Sequence, residues 1–263
     1  MGDWDIGEDW MSRMQGIGEK TLGPVAIHGG LQMKRREQNR AAFKNSKEWG
    51  LITQAHASAV NALVNFLSRI AGKPIPADRE DVQGQAALIA HFVQGIDLCE
   101  TAIVEGFYPQ AATLLRQQHE IIAAVEEFTV GRRKDGKTPH ATIGVLRDMG
   151  RTYGDLSGGA HVSHANLLKN FVIMAIGEHD GPSLLPIYHH EITLNFYALH
   201  VSYILMMAQL AGEVENSVTG DTLNPDEVKL LFVGRQILMD LGLIRFEEPP
   251  NPQEAPAKGC ATD

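Results

Sequence analysis

Residues 129–140 read TVGRRKDGKTPH, and Gly131 to Thr138 within them (GRRKDGKT) fits the G-x-x-x-x-G-K-[ST] pattern of a phosphate-cradling loop. Some twenty residues on, DLSGG (155–159) looks like the signature loop of an ATP-binding-cassette protein. A working phosphate loop joins a buried β-strand to a helix and aims its backbone N–H groups at the phosphates. Here the preceding EIIAAVEEFTV (120–130) has the spacing of an amphipathic helix. Pro139 removes a backbone donor where the phosphate-facing helix should begin, and four bulky basic side chains crowd the loop. No apolar strand ending in Asp follows to hold magnesium. The pattern is accidental, and a nucleotide-hydrolysing α/β fold is excluded.

Outward from that stretch the chain reads as helix. Trp49, Ile52, Ala55, Ala59, Leu63 and Phe66 recur at three- and four-residue spacing, and Gly72 and Pro74 stop the run. A second long helix is expected from Asp78 to Glu105, with Leu88, Phe92, Ile96, Cys99 and Ile103 on one stripe. Gly106 closes it and Pro109 opens the next helix, so GFYP (106–109) is a tight turn between antiparallel helices. A shorter helix is expected from Thr138 toward Gly150, then a flexible break at GDLSGG (154–159), then helix again over 164–177. The last helix starts at Asn224, with Pro225 at its first position and Asp226 and Glu227 facing the positive end of the dipole. Sustained period-two alternation is absent.

The expected fold is therefore an all-α bundle of six to eight helices over residues 46–246. An irregular, Gly-rich arm (1–45) precedes it, and a disordered Pro-rich tail (247–263) follows.

Composition narrows the function classes. The chain has 263 residues, 44% of them hydrophobic, and a net charge of −9, which opposes non-specific attraction to nucleic acid or anionic membrane. Two distant cysteines make no disulfide framework, so a reducing cytoplasm is expected. The N-terminus lacks the basic and apolar regions of a secretory signal. Residues 192–212 carry no formal charge, but Asn195, His200, Ser202 and Gln209 interrupt them and basic flanks are missing. A central helix of a soluble bundle is expected rather than a membrane span.

Two pieces remain that carry chemistry. Arg116 and Glu120 are four residues apart on one helix face, beside the small residues Ala112 and Ala123. RTYGDLSGGAHVSH (151–164) then gathers Tyr153, Ser157, His161 and His164. Together, the hairpin FVQGIDLCETAIVEGFYPQAATLLRQQHEIIAAVEEF (92–128) and the Y-x-x-LS-x-x-x-H pattern resemble a broad group of uncharacterised bacterial helical proteins. That group is often compared with the HEPN (higher eukaryotes and prokaryotes nucleotide-binding) superfamily. The resemblance covers residues 80–175 and implies a HEPN-like bundle with Arg116, Glu120, Tyr153, Ser157 and His161 converging on one site. HEPN ribonucleases carry an Arg-to-His motif at a helix start. Here the Arg133-to-His140 spacing falls in a loop, with Lys134 where that motif prefers Asn, Asp or His.

Three functions follow as expectations. The first is a HEPN-like protein binding RNA or a nucleotide, cleaving RNA in stress or phage defence. His161 would then serve as acid or base, Arg116 would stabilise phosphate charge, and Arg132, Arg133, Lys134 and Lys137 would contact the backbone. The second is a non-catalytic module in which the same cluster fixes helix register and a protein partner or a second copy docks on the bundle. The third is a metal-dependent hydrolase in which His161 and His164 join Glu120 or His189 and His190; the expectation adopted is no metal and no cofactor. Exposure discriminates the first two, because a catalytic cluster opens to a cleft and a structural one does not.

Overall fold

Apolar spacing of three and four builds helices wherever Gly or Pro does not interrupt it. The computed structural model describes residues 8–160, 165–176 and 179–245. Among them lie α1 (Glu8–Lys44), α2 (Trp49–Ile70), α3 (Glu80–Gln94), α4 (Ile96–Val104), α5 (Tyr108–Thr129), α6 (Gly150–Ala160), α7 (Ala165–Val172), α8 (His190–Thr219) and α9 (Pro225–Asp240). Because α3 and α4 are interrupted only at Gly95, the bundle has eight helices among the described residues. Strands β1 (Ile173–Ile176) and β2 (His179–Pro182) pair antiparallel, with Ile173 opposite Pro182. They are the sole sheet among the described residues, and the fold is all-α.

Several boundaries follow from identifiable local signals. At Gly106 the backbone is left-handed (φ +83°), and a Cβ there would meet the Ile187 carbonyl oxygen at 2.5 Å. Asn224 caps α9: its Oδ1 accepts the N–H groups of Asp226 and Glu227, both at 2.9 Å, and Glu227 accepts the Asn224 N–H at 2.7 Å in return.

Four expectations need correction. The arm expected to be irregular is helix α1. Its last turns are anchored by long-range contacts invisible in local composition: Phe43 is buried against Trp49 and Tyr197, and Asn39 donates to the Glu105 carbonyl at 2.7 Å. Arg36 and Arg40 both pair with the Glu105 carboxylate. The GDLSGG break does not exist, because α6 runs through it; Gly158 and Gly159 are buried, where the missing side chains allow close packing. Residues 139–149 are mostly loop with one 3-10 turn, Gly144–Leu146, and the helix expected over 164–177 ends at Val172. The expected tail lies outside the described residues.

The core is organised round α8. In its most apolar window 61% of the residues are buried, and α2, α4 and α5 cover it. Tyr197, Val201, Ile204, Met207 and Ala208 interlock with Ile52, Ala59, Leu63, Cys99, Leu115 and Ile122. α9 packs chiefly on α2, where Gly234 brings a backbone against the Ala55 carbonyl.

Polar groups enter this core in pairs. His200 is fully buried and donates from Nδ1 to Gln118 Oε1 at 2.9 Å, while His200 Nε2 and Gln118 Nε2 have no hydrogen-bond partner among the described residues. Burial, reinforced by the charge of His56 5.4 Å away ring to ring, pushes His200 down to about 3. An unfolded histidine protonates near pH 6.5, so the unfolded chain binds more protons than the folded one below that point. The stability contribution is therefore present above pH 6.5 and is lost progressively as the pH falls toward 3. For one such group the loss between pH 7.5 and 5.5 is about 1.4 kcal/mol. Urea melts at the two pH values should show at least this difference in the native protein. His200→Leu/Gln118→Leu, which removes both partners, should show a correspondingly smaller one; equal wild-type stability at both pH values would contradict the burial of a neutral His200.

Candidate functional site

The 22-residue helix α5 presents Arg116 and Glu120 to α6, which packs alongside. Arg116 Nε donates to Glu120 Oε1 at 2.9 Å, and its Nη2 lies 2.8 Å from the same oxygen. The Tyr153 hydroxyl donates to Glu120 Oε1 at 2.8 Å and accepts from Arg116 Nη2 at 3.5 Å. The guanidinium carbon stands 5.6 Å from the centre of the Tyr153 ring, within cation–π range. The two charged side chains are 18% and 27% exposed, so the ring of interactions is partly shielded from water. Burial opposes the Arg116 charge most strongly. The Tyr153 hydrogen bond and the charge of Glu120 together outweigh it and raise its affinity for its proton.

Three of the five expected site residues are thus brought together: Arg116, Glu120 and Tyr153. Ser157 is half-buried one turn beyond Tyr153, inside α6 rather than at a cap. His161 lies outside the described residues. His119, next to Glu120 in sequence, points into the core instead. Its Nε2–H donates to the Ala141 carbonyl at 2.7 Å, and its Nδ1 accepts from Tyr203 at 2.9 Å. Burial holds this imidazole neutral, and both nitrogens are committed.

The basic loop sits elsewhere. It begins just beyond Thr129, the end of α5, which lies about 20 Å along the helix axis from Arg116. Arg132, Lys134 and Lys137 are exposed, but Arg133 is tied down, donating to the Lys137 carbonyl at 2.8 Å and pairing with Glu127 at 3.4 Å. Four of the loop's amides are also committed. Those of Gly131, Arg132 and Arg133 bond to Phe128 and Glu127 carbonyls, and that of Lys137 bonds to Lys134. A helix rather than a β-strand precedes the loop and four of its amides are bonded internally, which is not the arrangement of a triphosphate cradle.

Sequence reasoning missed what holds this region. Glu126 and Glu127 are both 9% exposed; Glu126 accepts the Val145 N–H at 3.0 Å and Glu127 the His140 N–H at 2.8 Å. Adjacent glutamates on a buried helix face were the available signal, because buried carboxylates need donors. Among the described residues no three His, Cys, Asp or Glu side chains are grouped to hold a metal. His190 instead bonds Tyr188 at 3.0 Å and faces Glu48 at 3.4 Å. The expected metal partners His161 and His164 lie outside the described residues.

A wide opening lies beside the cluster. A cleft of about 1260 Å³ runs along α8, with Leu156 on one wall, Phe196, Leu199 and Met206 on its floor, and Leu231 and Phe232 on the α9 side. On α6 the residues Thr152, Asp155 and Leu156 line it. Tyr153 and Ser157 occupy the neighbouring face of that helix, by the 100° step between successive residues. Arg116, Glu120, Tyr153 and Ser157 do not line this cleft.

Removing Glu120 takes one acceptor from a partly covered guanidinium and from the Tyr153 phenol. Glu120→Ala should destabilise the protein by about 1–3 kcal/mol, and Tyr153→Phe by about 1 kcal/mol. The double variant should cost less than the sum, since both remove the same hydrogen bond. Strict additivity in denaturant melts would show that the two side chains are not coupled.

Compared with known proteins, the chain matches no family model, no curated protein and no solved structure, so its geometry carries the functional reading.

Proposed function

We propose that this chain is a non-catalytic helical interaction module whose binding surface is the apolar cleft along α8. One observation carries the reading. The expected catalytic residues Arg116, Glu120, Tyr153 and Ser157 stand off the cleft, and three of them close on one another across α5 and α6. In this reading the cluster fixes the α5–α6 register and so positions one wall of the cleft. Cleft floors that are mostly apolar with a few polar groups are suited to binding. Phe232 is 65% exposed at the rim. Cys99, a buried free thiol, suits a reducing compartment.

A second reading rests on a different observation. Arg132, Lys134 and Lys137 are exposed cations on one loop, and they would attract the phosphates of single-stranded RNA as in a HEPN-like protein. Because that loop begins about 20 Å from Arg116 along α5, this would be backbone binding remote from the Arg116 cluster.

Two measurements separate these readings. An apolar fluorescent dye should bind the dilute native protein at one site, and Met206→Glu should weaken it at least tenfold, about 1.4 kcal/mol. Single-stranded RNA should remain uncleaved by the wild type. RNA cleavage abolished by Glu120→Gln, with dye binding unchanged by Met206→Glu, would replace the interaction module with the catalytic reading.

A further inference from the structure

Helix α1 ends in an anchor and extends away from it. Asn39 and Phe43 are buried, whereas Val25 (67%), Ile27 (66%), Leu31 (50%) and Met33 (63%) are largely exposed. Four large apolar side chains on one unpacked stretch of helix form an unusual exposed surface. At 100° per residue, Ile27 and Leu31 share one side of α1, while Val25 and Met33 lie on the opposite side. A helix apolar on two opposite sides cannot satisfy both against a flat surface. It suits a slot with two walls.

The same chain offers such a slot. The cleft floor on α8 is formed by positions 195, 196, 199, 202, 205, 206 and 209, a helical stripe. It spans about 21 Å, long enough to take residues 24–35 of α1, about 17 Å. The walls are α6 with the segment before it and α9, and both present apolar side chains inward.

Charge on the cleft lining is divided: Asp148 and Asp155 stand on the α6 side, and Arg235 and Arg245 on the α9 side. Lys34 and Arg35 on α1 flank the side bearing Leu31, and neither has an ion-pair partner among the described residues. Asp148 and Asp155, on the wall that includes α6, are exposed and also lack an ion-pair or hydrogen-bond partner there. Within one molecule, α1 makes its main helix contact with α4 rather than with α6, α8 or α9.

We infer that the cleft is occupied by residues 24–35 of a second copy, each protomer giving its α1 to the other in a symmetric exchange. The inference rests on the cleft being the binding surface and names what fills it. The exchange is reciprocal, so two helices are buried per dimer and the interface closes on itself. Apolar burial supplies the affinity. Lys34 and Arg35 against Asp148 and Asp155 set which way the helix lies.

The test is the mass of the full chain in solution by light scattering, from micromolar to hundreds of micromolar. The wild type should have twice the chain mass at the upper end. Ile27→Glu/Leu31→Glu, both on the exposed helix, should be monomeric with an unchanged circular dichroism spectrum. Lys34→Glu/Arg35→Glu should weaken dimerisation at least tenfold, and adding Asp148→Lys/Asp155→Lys should restore it. A wild type monomeric throughout would overturn the exchange, as would a dimer indifferent to the α1 variants. Failure of the compensating pair to restore dimerisation would equally overturn the charge pairing. Single-site dye binding that persists in a monomeric wild type would leave the cleft as a binding surface while removing the second copy from it.

Discussion

One uncharged helix sets the terms for the rest of the molecule. With 21 successive residues lacking formal charge, α8 gains stability wherever it is covered, at about 25 cal/mol per Å² of apolar surface buried. Helices α2, α4 and α5 cover it on the sides that carry Tyr197, Val201, Ile204 and Met207. The remaining side, from Phe196 through Leu199 to Met206, faces the cleft. Cleft and core are thus two faces of one helix.

Polar residues on α8 determine how its neighbours sit. Tyr197 donates to Glu100 of α4 at 2.6 Å, His200 to Gln118 of α5, and Tyr203 to His119 of α5. Each bond spans two helices, and each would be broken by sliding either helix one turn. A purely apolar interface tolerates such slips better than one with buried polar groups. The Arg116–Glu120–Tyr153 cluster does the same one layer out, tying α6 to α5. Its chemistry resembles a phosphate-handling site because the same groups that bind phosphate also bind one another.

Elements with their own punctuation were legible in the sequence. The α9 cap at Asn224, the turn at Gly106 and Pro109, and the end of α2 before Gly72 each depend on residues within a few positions. The pairing of Arg116 with Glu120 was also readable, because four residues of helix bring them together. Helix α1 was not readable, since Asn39 and Phe43 are held by residues 66 and 154 positions away. GDLSGG looked like a break because glycine disfavours isolated helix, yet Gly158 and Gly159 are buried in α6, where packing outweighs propensity. The cleft itself had no local signal at all. It exists because two helices that line α8 pack mainly on other neighbours, α6 on α5 and α9 on α2.

The open face of α8 can be read directly through Ser202, which lies on the cleft floor and is nearly isosteric with cysteine. In a Cys260→Ser background the remaining native thiol, Cys99, is buried and its proton is held tightly by that burial, so it serves as an unreactive control. The rate at which a maleimide labels Ser202→Cys should be high in dilute protein and fall steeply as protein concentration rises and a second copy fills the cleft. Labelling as slow as that of Cys99 at every concentration would contradict an open cleft, and fast labelling independent of concentration would contradict its occupation by a second copy.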